Sequence, residues 1–212
     1  MTDELINRLS ADLEPVPPRA LERRIWTALA LGALVTLPYA YIVLDLWLGR
    51  PFVPLMGERM FWVKFVYTLA FALIGFAAVP ALSRPDGRIR WPFILSGLGL
   101  LVALGFGTMR WMESDWIMPE LMGQTAMVCP WLIPLTGLPV LAALLWAMRP
   151  LAPRSATMAG LAAGLLAGGF GAWTYAFFCG EDGMMFMAVW YSLGIALTAA
   201  LGAVLGRVLL RW

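Results

Sequence analysis

The chain has 212 residues, 61% of them hydrophobic and 13% charged, with a formal net charge of +2. A mean hydropathy of +0.79 is beyond what a soluble domain of this size sustains, so composition excludes that class and points to membrane-spanning helices. The chain has no histidine and no long basic tract, which removes imidazole metal and haem ligation, the commonest proton shuttle and a nucleic-acid interface.

In chain order, residues Met1 to Arg24 form the one segment polar enough to act outside a bilayer. Thr2 caps a predicted helix whose first turn holds Asp3 and Glu4, and Pro15, Pro17 and Pro18 end it. Leu5, Ile6, Leu9 and Leu13 fall on one side at helical spacing. A helix of about a dozen residues is marginal alone in water, so this stripe needs a surface: lipid, the chain's own loops, or a groove on a partner. Asp3, Glu4, Asp12 and Glu14 argue against an anionic membrane surface and favour the partner.

Six apolar runs follow, at Ile25 to Leu48, Phe61 to Leu82, Pro92 to Trp111, Met127 to Met148, Ala156 to Phe178 and Met185 to Gly206. Each is long enough to cross about 30 Å of hydrocarbon as a helix. The first is too long for a signal-peptide core and lacks a small-residue cleavage site, so it is expected to remain in the mature protein. The predicted fold class is therefore all-α: a polytopic membrane protein with a six-helix transmembrane domain over residues 25–212 and a short amphipathic helix in a cytoplasmic segment, residues 1–24.

Eleven of the fifteen basic residues fall on the side of both termini, and Arg50, Arg59, Lys64 and Arg110 on the other. By the positive-inside rule both termini are cytoplasmic. Asp45, Lys64 and Arg110 each lie within a turn or two of a predicted helix end, where a long cationic side chain reaches the interface; no proton path is expected. Gly160, Gly164 and Gly168 recur every fourth residue in the fifth run, and Gly194, Thr198, Gly202 and Gly206 do so in the sixth, a spacing that predicts close pairing of these two helices.

Two cysteines sit at one boundary. Cys129 opens the fourth run and Cys179 closes the fifth, inside Phe177-Phe178-Cys179-Gly180-Glu181-Asp182-Gly183-Met184. Two nearby thiols facing an oxidising compartment form a disulfide; Cys129, Cys179, Glu181 and Asp182 together would make a mixed thiolate and carboxylate metal site; two unrelated buried thiols are the third reading. Pro130 puts Cys129 at a helix N-terminus, where the dipole favours the thiolate, so Cys129 is the expected attacking sulfur.

The opening Thr2-Asp3-Glu4-Leu5-Ile6-Asn7-Arg8-Leu9 with Asp12-Leu13-Glu14-Pro15-Val16, the six helices, the Cys129 segment, and Tyr175-Ala176-Phe177-Phe178-Cys179-Gly180-Glu181-Asp182 followed by Trp190-Tyr191-Ser192-Leu193-Gly194-Ile195 resemble the NrsF family. These are membrane-bound negative regulators of extracytoplasmic-function (ECF) sigma factors. The resemblance implies an anti-sigma factor of the bacterial inner membrane, without enzymatic activity or cofactor. Its cytoplasmic N-terminal segment would hold the sigma factor, with Leu5, Ile6, Leu9 and Leu13 as contacts, and stress signals such as heavy metals would release it through Cys129 and Cys179. Where family members often carry histidine near these cysteines, this chain has Gln124, Thr125 and Phe178, which leaves thiol chemistry as the sensing route. A small membrane transporter or membrane redox protein is the alternative reading.

Overall fold

A computed structural model describes residues 4, 6, 11, 19–50, 52, 57–115 and 118–211. These form helices, turns and loops, and six helices are long and apolar enough to cross a membrane: α1 (Ala20–Trp47), α2 (Arg59–Leu82), α3 (Trp91–Glu113), α4 (Cys129–Met148), α5 (Ala156–Phe178) and α6 (Met184–Leu209). Of the predicted partner contacts, Ile6 is helical and exposed, and Leu5, Leu9 and Leu13 lie outside the described residues. Six passes bring the start of α1 and the end of α6 to one end of the bundle, called proximal below. The opposite, distal end carries the α1–α2, α3–α4 and α5–α6 connections.

The central element is α5, with 78% of its apolar stretch buried, against 17% for α3. Small residues on three of its faces allow this. The α5–α6 pairing predicted from the fourfold spacing is present: a Cβ at Gly160 would fall on the Gly202 carbonyl, and one at Gly168 would lie 3.0 Å from the Ile195 carbonyl. Gly75 of α2 abuts the Leu166 backbone, and Gly137 of α4 abuts the Ala167 carbonyl. Backbones in such contact trade side-chain bulk for close van der Waals packing, the main source of helix association where lipid is as apolar as leucine.

In α1 the buried residues Ile25, Ala28, Gly32, Thr36, Ala40 and Leu44 recur every three or four positions and form a single stripe. That stripe packs mainly on α4 rather than on the sequence neighbour α2. Leu31, Leu34, Val35 and Leu37 face outward, as lipid-facing residues do. Pro38, Pro80, Pro134 and Pro139 lie within helices, and in α4 the Thr136 hydroxyl donates to its own turn and to the Gly171 carbonyl of α5 at 3.1 Å. Two stretches widen to π-helix, Tyr41–Trp47 at the end of α1 and Met187–Tyr191 in α6.

Candidate functional site

At the distal end Cys129 is the first residue of α4, with its N–H donating to the Thr125 carbonyl at 2.8 Å. Cys179 follows the 3-10 turn Ala176–Phe178 that closes α5, in an extended conformation. Both thiols are free and buried, at 0% and 1% exposure. Cys129 lies within electrostatic reach of Cys179, Lys64, Glu181 and Arg50. The two cysteines expected at one boundary thus occupy one neighbourhood.

Their surroundings correct one expectation. Lys64, expected to reach the interface from near a helix end, is instead 1% exposed and points into the bundle. Its Nζ donates to the Cys179 carbonyl at 2.9 Å and lies 5.9 Å from the centre of the Tyr191 ring. Among the described residues no carboxylate comes within ion-pairing distance of it. The signal was in the sequence: Phe61, Lys64, Thr68, Phe71 and Gly75 recur at three- and four-residue steps, which places Lys64 on the buried stripe of α2. Position near a helix end was the weaker guide.

The neighbourhood also holds polar atoms without partners. Tyr175 and Tyr191 are fully buried, with ring centres 5.8 Å apart. The Tyr191 hydroxyl faces Cys179 and that of Tyr175 faces Thr125, yet neither tyrosine hydroxyl, nor that of Thr125, makes a well-formed hydrogen bond. An unsatisfied buried hydroxyl costs about 1–3 kcal/mol, and Tyr175 and Tyr191 share one buried cluster with Cys129 and Cys179. In sequence the two tyrosines stand within the stretches 175–182 and 190–195, with no local signal of their burial.

The Cys179 loop is tied down by the loop between α3 and α4. The Glu181 Oε1 accepts from the Gln124 N–H at 2.8 Å, Glu120 Oε1 accepts from the Met184 N–H at 3.2 Å, and Trp190 Nε1 donates to the Leu121 carbonyl at 2.8 Å. Gly123, at φ +50°, packs against the Glu181 carboxylate where a side chain would collide. Phe177 is the hub of an aromatic cluster, with ring centres 5.2 Å from both Phe61 and Trp173 and 5.9 Å from Phe52. Both loops together form a lid over the thiols.

That lid bears on two further expectations. Cys129 does begin a helix, but burial withholds both sulfurs alike from solvent, so the dipole alone does not single it out as the attacking thiol. Glu181 is engaged by Gln124, Asp182 is exposed, and among the described residues no three Cys, Asp or Glu side chains gather as a metal-holding group. The two acids instead line an open cavity of about 840 Å³ together with Glu58, Arg59, Arg110 and Glu120. What remains at the centre is two buried thiols, a buried cation and two buried tyrosines.

A family model described as "Negative regulator of sigma F" (NrsF) matches residues 9–212. The anti-sigma-F factor NrsF of Caulobacter vibrioides is 37% identical over 220 residues, covering 100% of this chain and 99% of the relative. The probable anti-sigma-F factor NrsF of Azospira oryzae is 35% identical over 217 residues, again with 100% and 99% coverage. No solved structure matches the chain.

Proposed function

The chain belongs to the NrsF family, the negative regulators of sigma F, and from that premise we propose that it is a multi-pass anti-sigma factor of the bacterial inner membrane that holds an ECF sigma factor and releases it on stress. The end-to-end match to two anti-sigma factors carries the reading, because it spans the polar N-terminal segment as well as the bundle. In this reading the chain acts by holding its partner and not by catalysis. Both termini are cytoplasmic, which the eleven-to-four distribution of basic residues supports.

The partner contact is residues 1–24, with Leu5, Ile6, Leu9 and Leu13 laid into an apolar groove of the sigma factor. The sensing residues are Cys129 and Cys179, at the periplasmic end. A two-electron oxidant such as hydrogen peroxide, reduced to two waters, would take two protons and two electrons from the thiols to form a disulfide; a thiophilic metal ion would instead displace the two protons and bind the thiolates, with Lys64 close by on the Cys179 carbonyl. Either event changes the spacing of the α4 and α5 ends. Because α4 packs on α1, which continues directly from the N-terminal segment, the change has a short route to the partner. A coupling of about 1.4 kcal/mol suffices to alter sigma-factor affinity tenfold.

Burying one leucine is worth roughly 1.5–3 kcal/mol, so Leu9→Asp is expected to abolish co-purification of the sigma factor and turn on its target genes without an inducer. A Leu9→Asp protein that reaches the membrane at normal levels and still represses would overturn the docking segment. Repression unaffected by deletion of the whole gene would overturn the anti-sigma role itself.

A further inference from the structure

At the proximal end a cleft of about 610 Å³ opens between the connections 83–90 and 149–155. Arg88, Arg90 and Arg154 line it, and among the described residues none of the three guanidiniums has an ion-pair or hydrogen-bond partner; the neighbouring acid, Asp86, is exposed and forms no ion pair. The first turns of α3, at Trp91, and of α5, at Ala156, begin beside it, so two helix dipoles present their positive ends to the same space. The rest of its lining is Leu82, Ile89 and Met158 with Gly87 and Ser155. Three unpaired cations therefore stand directly above hydrocarbon-lined surface at the end of membrane helices, with Trp91 half exposed as an interfacial anchor.

We propose that this cleft binds the phosphate headgroup of an anionic phospholipid. The charge calls for an anion, the bidentate geometry of arginine suits a phosphate, and the apolar wall suits the start of an acyl chain, which a free anion has no use for. A bound headgroup bridges the last turn of α2 and the first turns of α3 and α5, so it braces the proximal ends of helices whose distal ends surround the cysteines. The inference does not depend on the partner or the inducer. The chain's own acidic segment, with Asp3, Glu4, Asp12 and Glu14, precedes α1 in the sequence and is the competing occupant to be tested.

The test uses the full chain purified in dodecyl maltoside and titrated separately with dioleoylphosphatidylglycerol, dioleoylphosphatidylcholine and inorganic phosphate. Retained lipid is read by native mass spectrometry and protection by thermal unfolding. The expected result is about tenfold preference for phosphatidylglycerol over phosphatidylcholine. That preference is lost in the Arg88→Gln, Arg90→Gln, Arg154→Gln triple variant. It is kept when Arg149, Arg207 and Arg211 are changed to Gln, which removes the same charge from the same end outside the cleft. Equal loss in both triple variants would reduce the effect to diffuse surface charge and overturn the site. Protection by inorganic phosphate equal to that by phosphatidylglycerol would assign the cleft to a free anion and overturn the lipid. Much tighter phosphatidylglycerol binding after deletion of residues 1–14 would give the cleft to the chain's own segment and overturn it as well.

Discussion

Replacing Lys64 by methionine separates what this residue does for stability from what it does for the site. The change keeps a long unbranched side chain, so it leaves little void among Tyr191, Cys179 and the α5 terminus. It removes one charge-assisted hydrogen bond, the 2.9 Å bond to the Cys179 carbonyl, worth about 1.5–3 kcal/mol, and a ring contact worth about 0.5–2 kcal/mol. Against this stands the desolvation of an ammonium at 1% exposure without a carboxylate, several kcal/mol in a real protein interior. The methionine also leaves the buried Cys179 carbonyl without this donor, about 1–3 kcal/mol, and the terms nearly cancel. Lys64→Met is therefore expected to unfold within a few degrees of the parent, because a chain of this size shifts by roughly 2–4 °C per kcal/mol. Lys64→Ala also leaves a cavity and is expected to lose about 3–5 kcal/mol. Thermal unfolding in detergent, followed by size-exclusion recovery, compares the two. Should Lys64→Met be as unstable as Lys64→Ala, the hydrogen bond outweighs the desolvation and the reasoning fails.

Cys129→Ser and Cys179→Ser are each expected to abolish induction of the sigma-factor regulon, with the double variant no worse than either, since one pair acts as a unit; a normal response from both single variants, measured with a target-promoter reporter, would reduce the thiols to packing residues. Gly164→Leu places a side chain on the Thr198 carbonyl and the Ala199 backbone and should cost about 1–3 kcal/mol or more, seen as loss of monodisperse protein, whereas Gly97→Leu, with nothing within 4 Å, should be neutral. Glu181→Gln and Gly123→Ala both loosen the lid, the first by weakening a charge-assisted bond and the second by collision and strain. Both should raise the rate of thiol alkylation by N-ethylmaleimide by about threefold to tenfold, and an unchanged rate would remove the lid from the account.

Much of this molecule was legible in its sequence because hydrocarbon permits so few backbones. The six predicted runs coincide with the six helices to within a few residues, and the cysteines share one end of the bundle because α4 starts and α5 finishes there. The α5–α6 pairing was legible for a related reason: glycine at every fourth position has little other use in a helix. Lateral order was not legible. That α1 packs on α4 depends on how Ile25, Ala28 and Gly32 fit Val140 and Leu144, a shape match that hydropathy does not encode. Nor were the lid bonds of Glu120 and Glu181, since acids in an outer loop read as solvated charge until the opposite loop is seen to offer N–H groups.

The seating of α1 on α4 sets an order of events during biosynthesis. Between Trp47, where α1 ends, and Met148, where α4 ends, lie about a hundred residues, which a ribosome takes roughly 5–20 s to make. For that interval the first helix is in the bilayer without its main neighbour, and the face carrying Gly32 and Thr36 is turned to lipid. Residues 1–24 have by then long left the ribosome. Under the proposed function, a nascent chain engages its partner before Cys129 and Cys179 have been translated, so repression would be available from the first helix onward and responsiveness would arrive only with α4 and α5.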